Sequence, residues 1–169
     1  DELRYLDSYG HGTHIASIIA GHDGAGGFRG IAPGARLLNV KVASASGATD
    51  VSQVIAAIDW VVQHRNDDGL NVRVLNLSFG TDSQQPYTID PLAFAAEIAW
   101  RNGIVVVAAA GNAGDAGPLA DPAYDPNILA VGAADTHDTP DRSDDSIPDW
   151  SSRGTDERRP DVVAPGVGI

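Results

Sequence analysis

Helical and strand-like segments alternate along the middle of this chain, and that alternation limits its fold more than any other feature. Between Asp50 and His64, apolar residues recur on one helical face: Val51, Val54, Ile55, Ile58, Val61 and Val62. A second helix is predicted from about 91 to 102, with Asp90 as its cap. Apolar runs typical of strands lie at 72–78, 104–110 and 128–132. This order predicts an α/β fold with three layers (α/β/α) around a mainly parallel sheet.

Three further elements are predicted with less regular patterns. Residues 13–21 are typical of a helix rich in Ile and Ala, and residues 35–42 of a strand. The acidic stretch 135–160 is predicted to be a surface loop with a short strand near Trp150. Residues 1–169 contain no repeat and no linker, so they are expected to belong to a single domain. The missing methionine and the apolar end at 165–169 indicate an internal piece of that domain.

The composition excludes several classes of function. Asp and Glu number 23 against 11 Lys and Arg, a net charge of −12, which argues against a nucleic-acid-binding surface. No apolar run approaches the roughly 18 residues of a membrane span. The chain has no cysteine, which excludes disulfides and thiol catalysis. We therefore expect no nucleic-acid or membrane partner, and a monomer.

Two short motifs carry residues suited to chemistry. The first is Gly10-His11-Gly12-Thr13-His14, at the start of a helix of small residues. Histidine can both take and give a proton near neutral pH, and glycine lets other backbone approach closely. The second motif is Gly111-Asn112, directly after the apolar run 104–110. In α/β sheets, loops after strands are where binding and catalytic sites are built.

Together these two motifs resemble the subtilisin-like serine proteases, the subtilases. The resemblance implies a secreted serine endopeptidase that hydrolyses peptide or protein substrates through an acyl-enzyme, with an Asp/His/Ser triad. It makes His11 the general base and Asn112 the side-chain donor to the oxyanion. Such chemistry requires no cofactor.

The same resemblance suggests where a substrate would bind. Small residues let an extended peptide add to an edge as a further strand. The expected substrate-binding residues are Gly47, Ala48 and Thr49 at one edge, Ser78, Phe79 and Gly80 on one wall, and Ala109, Ala110 and Gly111 on the other. The stretch 159–166 is similar to the family segment that precedes the nucleophile.

The chain also departs from the family pattern. The Gly-Thr-Ser nucleophile motif is absent, because Gly80-Thr81 and Gly154-Thr155 are each followed by aspartate. The triad aspartate belongs upstream of the histidine, yet Asp7 is only four residues before His11. A local hydrogen-bonding role is expected for Asp7. The segments that carry the triad Asp and Ser are expected to lie outside the 169 residues, so the chain alone is expected to be inactive.

Metal sites and rival functions remain open at this stage. His14 could form an H-x-x-H zinc pair with His22 as a third ligand, but a buried structural role is expected for it. Acidic loop residues could hold structural calcium: Asp23, Asp141, Asp144, Asp145 and Asp149. The rival functions are a subtilase-fold peptide-binding module that has lost its serine, and a nucleotide-binding α/β domain using the glycine-rich stretch 24–30.

Overall fold

A computed structural model describes residues 6–24, 26–83, 85–115 and 117–169 of the chain. The chain divides into two compact units, Asp1–Ala57 and Ile58–Ile169. The boundary between them falls inside a helix. The expectation that all 169 residues form one domain therefore stays a prediction.

The first unit is built around helix α1, His11–Ala20. The helix begins two residues earlier than predicted, so that His11 is its first residue, and none of its residues is buried. The predicted strand at 35–42 is wrong, since no described segment pairs with it. Leu37 and Leu38 are 52% and 40% exposed. An apolar pattern indicates that a segment prefers to be buried, whereas a strand also requires hydrogen bonds to the backbone of an adjacent strand.

Helix α2 (Val51–His64) runs across the boundary between the two units. Asp50 caps this helix, because its carboxylate accepts hydrogen bonds from the backbone N–H (2.8 Å) and the hydroxyl (2.6 Å) of Ser52. The buried residues of α2 follow the predicted helical face: Val54, Ile58, Val61 and Val62. A short 3-10 helix, Asp67–Gly69, follows.

The second unit contains a four-stranded sheet in which every pair of neighbours is parallel. Its strands are β1 (Val74–Leu77), β2 (Val105–Ala109), β3 (Leu129–Ala134) and β4 (Val162–Pro165), and they lie side by side in chain order. In register, Leu77 lies beside Ala108 and Ala108 beside Ala130. The predicted α/β class with a parallel sheet is confirmed.

Helix α3 (Pro91–Arg101) packs on β2 and supplies much of the core. It begins at the predicted cap, where the Asp90 carboxylate accepts bonds from the backbone N–H of Leu92 (2.8 Å) and Ala93 (3.1 Å). Five of its residues are buried: Leu92, Ala93, Ala95, Ala96 and Ala99. Ile104, Val106 and Ala108 are buried beside them in the sheet.

The acidic stretch after β3 was predicted less well than the helices. Trp150 lies in a turn, so the short strand predicted there is wrong; a single bridge between Asp135 and Ser146 is the only pairing in that loop. Conversely, the segment at 162–165 forms β4, which its Pro-flanked sequence did not suggest. It becomes a strand because β3 offers an open parallel edge beside it.

Arg158 ties the loop before β3 to the start of β4. Its guanidinium Nη2 donates to three backbone carbonyl oxygens, those of Ala123 (3.2 Å), Asp125 (3.3 Å) and Ile128 (2.7 Å). The same guanidinium pairs with the Asp161 carboxylate at 2.7 and 2.9 Å. Asp161 in turn accepts a bond from the backbone N–H of Ala130 (2.8 Å). These contacts hold the pKa of Asp161 below its usual value.

Candidate active site

The start of α1 presents His11 to solvent on a locally fixed backbone. Gly10, just before it, has φ of +91°, a left-handed conformation that glycine adopts without strain. The Asp7 carboxylate accepts bonds from the backbone N–H of Gly10 and from the backbone N–H and hydroxyl of Thr13, each at 2.8 Å. The bond from Gly10, followed by those from Thr13, lowers the pKa of Asp7 to about 2. The local role predicted for Asp7 is confirmed.

The structure gives less support to the predictions for His14 and for metal sites at the histidines and the acidic loops. His14 is exposed, so the prediction that it is buried is wrong; helix α1 buries none of its residues. Within the described ranges, no group of three His, Cys, Asp or Glu residues could hold a metal ion. Asp23 and Asp141 accept local bonds from the backbone N–H of Gly26 and Ser143, as residues in tight turns do.

The two remaining glycine-rich segments of the first unit are turns and loops. Gly47 closes a tight turn in which its N–H donates to the Ser44 carbonyl (3.0 Å), and the Tyr9 ring lies against it. The Thr49 hydroxyl donates to the Val42 carbonyl (2.8 Å), and Ala48 is exposed. The glycine-rich stretch at 24–30 follows α1, whereas a phosphate-binding loop joins a strand to a helix.

In the second unit, the sheet brings together the two predicted walls of the substrate site. Ser78–Gly80 leave the carboxyl end of β1, and Ala110–Asn112 leave that of β2. Because these strands are parallel neighbours, both segments lie at the same edge of the sheet. Asn112 is exposed there, and the Ser78 hydroxyl accepts a bond from the Asn76 amide (2.8 Å).

Asn112 lines a pocket of about 390 Å³ at this edge of the sheet. Gly111 and Ala113 lie beside it in the lining. The other lining residues come from three loops and are Asp82, Ser83, Gly117, Pro118, Leu119, Ala120 and Ser152. The pocket therefore brings residues from both sides of the sheet edge together around Asn112.

Close packing around Ala120 explains two of the predicted glycines. A Cβ at Gly80 would lie 2.7 Å from the Ala120 Cβ, and a Cβ at Gly111 would lie 3.1 Å from the same atom. Gly111 also has φ of +108°. Both distances are shorter than ordinary contacts, so a larger residue at either position would push Ala120 away from the pocket.

Ser152 fixes the loop that carries Asn112, and the sequence analysis missed it. Its backbone N–H donates to the Gly111 carbonyl (3.0 Å), and its hydroxyl accepts from the Ala113 N–H (3.0 Å). Ser152 is 2% exposed. The asparagine is thus held on both sides by one residue 40 positions away in the chain, which no local pattern could reveal.

A cluster of buried acids lies behind the pocket wall at Ser83. The Ser83 hydroxyl donates to the Asp90 carboxylate (2.6 Å), and Thr81 pairs with Asp121 through both backbone N–H groups and through its hydroxyl. Asp90, Asp121 and Asp125 are 4%, 3% and 0% exposed. Each precedes a proline, and Asp-Pro pairs within apolar sequence are the signal that could have identified them.

Burial dominates the electrostatics of this cluster. Burial, and then the neighbouring Asp90 charge, raises the pKa of Asp121 to about 7. Burial also raises the pKa of Asp125 and takes that of Tyr124 to about 12. At Asp90 burial acts in the same direction, but hydrogen bonds from Ser83, Ala93 and Leu92 outweigh it and lower the pKa.

Comparison with known proteins places this chain in a family. Residues 1–168 match the Peptidase_S8 subtilase family, so the chain belongs to the subtilases. Serine protease AprX of Bacillus subtilis (strain 168) is 37% identical over 172 residues, which covers 96% of this chain and 39% of AprX. Subtilisin DY of Bacillus licheniformis is 36% identical over 166 residues, covering 96% of this chain and 53% of that protein.

A solved structure agrees with the sequence comparison. The structure of S41 psychrophilic protease superposes with a TM-score of 0.77 at 29% identity, covering 92% of this chain and 52% of that one. The chain thus spans about half the length of these relatives or less. In the part of the chain that the structure describes, no helix is both long and apolar enough to cross a membrane.

Proposed function

We propose that this chain is part of a secreted serine endopeptidase that hydrolyses peptide bonds in peptide or protein substrates. The observation that carries the proposal is the position of Asn112, exposed at the carboxyl edge of a parallel sheet and lining a pocket, in a chain of the subtilase family. The working protein is expected to be a monomer, and the chemistry needs no cofactor. Structural calcium stays a prediction.

In the proposed mechanism, His11 takes the proton of a serine hydroxyl while that oxygen attacks the substrate carbonyl carbon. The Asn112 side-chain amide donates a hydrogen bond to the oxyanion that forms. His11 then gives its proton to the leaving amine, and water releases the acyl group by the same steps in reverse. The serine, and an aspartate that orients His11, come from sequence outside the 169 residues.

Substrate would lie along the predicted segments in an extended conformation. Its backbone would bond to Ser78–Gly80, and one side chain would enter the pocket next to Gly111. Gly47–Thr49, in the first unit, stay predicted substrate-binding residues. Ala109 and Ala110 would form the wall behind it. Because the lining residues next to Asn112 are small, the pocket can accept a sizeable side chain.

The test compares the 169-residue chain with the longer protein encoded around it. The chain alone is expected to hydrolyse no peptide substrate, because it contains no Gly-Thr-Ser motif. A longer protein that carries such a motif downstream is expected to show peptidase activity that phenylmethanesulfonyl fluoride abolishes. Activity from the 169 residues alone would contradict the mechanism.

A second candidate is a peptide-binding module without catalysis. The observation in its favour is that both Gly-Thr pairs of the chain are followed by Asp82 and Asp156, not by serine. This candidate predicts that the longer protein has another residue at the serine position, binds peptides and does not cleave them. Retention of both His11 and Asn112 favours the enzyme.

A further inference from the structure

The wall of the pocket opposite Asn112 rests on a pair of buried acids that the proposed mechanism does not use. Asp82 and Ser83 line the pocket, and Thr81 directly precedes them; these three residues are called the Thr81–Ser83 wall. Backbone bonds join Thr81 to Asp121 in both directions (3.0 and 2.9 Å), and the Ser83 hydroxyl is bound to Asp90 (2.6 Å). The wall is therefore hydrogen-bonded to both acids.

The Asp90 carboxylate already accepts three hydrogen bonds and has room for about one more, and this determines which acid is charged. One carboxylate oxygen accepts from the backbone N–H of Leu92 and of Ala93, and the other accepts from Ser83. Three donors stabilise a carboxylate but would clash with a carboxylic acid proton on the same oxygens. Asp90 is thus the ionised member of the pair.

Asp121 has the opposite environment. Its Oδ2 accepts one long bond from the Thr81 hydroxyl (3.1 Å), while its Oδ1 is buried without a partner. Its side chain lies within hydrogen-bonding reach of the Asp90 side chain. A buried acceptor with no donor is costly, and a second charge beside Asp90 would be more so. A proton on the Asp121 carboxyl group, donated to Asp90, removes the second charge and gives this buried group a hydrogen-bond partner.

We propose that Asp121 is a positioning residue that retains a proton, donates it to Asp90, and by this bond holds the Thr81–Ser83 wall of the pocket beside Asn112. The inference rests on the proposed function only in taking this pocket as the substrate site. Loss of the proton places two carboxylates in contact and loosens the wall. The pocket is therefore held most firmly below neutral pH.

The sign of the pH dependence follows from the charged groups around Asp121. Asp90 and Asp125 act on it, Tyr124 belongs to the same cluster, and Glu97 and Arg158 act on Asp125. The pKa of Asp121 is raised to about 7 from 3.8. The folded chain therefore binds more protons than the unfolded chain between these values. Stability is fully retained below 3.8 and is lost as pH rises through about 7.

The first experiment measures urea unfolding of the full 169-residue chain between pH 5 and 8. One retained proton should make the unfolding constant rise by about tenfold per pH unit at the lower end of this window and level off above pH 7. Asp121→Asn keeps the shape, donates to Asp90 through its amide and cannot titrate, so its unfolding should depend less steeply on pH. Asp125, whose pKa is also raised, is expected to contribute to the slope that remains.

Three further variants separate a shared proton from simple packing. Asp90→Asn removes the neighbouring charge and should also flatten the pH profile. Asp121→Ala should be less stable than Asp121→Asn at pH 5, because it removes the donor. Asp141→Asn, an exposed turn residue whose pKa is lowered, is the matched control and should leave the slope unchanged. An unchanged slope in Asp121→Asn would overturn the proposal.

NMR on the unmodified chain tests the link to the pocket directly. The side-chain carboxyl carbon of Asp121 should titrate near pH 7, and the amide resonances of Thr81 and Ser83 should move with the same midpoint. In Asp121→Asn those amides should not move in this range. The inference would be refuted if Asp121 titrated with the ordinary pKa of an aspartate, or if the amide resonances of Thr81 and Ser83 did not move as Asp121 titrates. A longer protein without peptidase activity would refute the proposed function and leave these results intact.

Discussion

Helices α1 and α3 begin in the same way and end up in very different surroundings. Each has an aspartate that accepts backbone N–H bonds at its start, Asp7 for α1 and Asp90 for α3. Helix α3 then buries five residues, while α1 buries none. The comparison shows that the position of His11 depends on a local cap, whereas that of Asn112 depends on a complete sheet and on Ser152.

The largest difference between the two regions should appear in catalysis. In an active longer protein, His11→Ala should reduce kcat about a million-fold, the size of the effect when subtilisin loses its histidine. Asn112→Ala should cost about 100- to 1,000-fold, the range measured for the corresponding asparagine of subtilisin. Steady-state kinetics on a peptide substrate, with folding checked by circular dichroism, would give both numbers. An unchanged kcat in Asn112→Ala would mean that Asn112 is not an oxyanion donor.

The next difference concerns stability. Leu92→Ala removes a side chain that is 0% exposed in the core of the second unit and should lower the free energy of unfolding by about 2 to 5 kcal/mol. Ile18→Ala, in α1, should lower it by about 1 kcal/mol, because this helix buries none of its residues. Urea unfolding of the 169-residue chain measures both. Similar losses would show that α1 is as well packed as α3.

Arg158 should matter more than its neighbour in sequence. Arg158→Ala leaves three carbonyl groups and the Asp161 carboxylate without their donor and should cost about 1 to 3 kcal/mol. Arg159→Ala removes one exposed pair with Asp156 and should cost less than about 1 kcal/mol. Thermal unfolding of both variants would test this. A larger loss in Arg159→Ala would contradict the role given to the Arg158 contacts.

The two helix caps should also differ from each other. Asp90→Ala should cost about 2 kcal/mol, since the cap is buried. Asp7→Ala should have a smaller effect, seen as faster amide hydrogen exchange at Gly10 and Thr13. Because the pKa of Asp7 is lowered to about 2, its contribution is present above pH 3.8 and is lost as pH falls through about 2. Protection at Gly10 that survives Asp7→Ala would show that this cap is dispensable.

The sequence predicted the second unit better than the first. The helix at 91–102 and the strands at 72–78, 104–110 and 128–132 appear where expected, within one or two residues. In these segments the apolar residues that form the sequence pattern are also the ones that the sheet and helix α3 bury together, so the pattern predicted the structure correctly. The run 35–42 has the same apolar character but no partner strand among the described residues, so composition alone gave the wrong result there.

The sequence predicted the candidate site residues at the sheet edge but not the buried residues that hold their loops in place. Asn112 and Gly111 follow a strand, and position in the chain was enough to place them at the sheet edge. Ser152 and Asp121 act across 40 residues, on Asn112 and Thr81 respectively, and their roles depend on burial that no local pattern reports. Aspartate is usually exposed to solvent, so a prediction based on residue type alone would not have placed Asp121 in the interior.

The chain order of the sheet has a consequence for how the second unit folds. Every strand pairs with the next one along the chain, so no pairing must wait for a distant segment. The connection between β2 and β3 is the shortest of the three, and shorter loops cost less entropy to close. We therefore expect β2 and β3 to pair first during folding. The loop carrying Asn112 joins these two strands. Its backbone would therefore be confined before Ser152 forms its hydrogen bonds to Gly111 and Ala113.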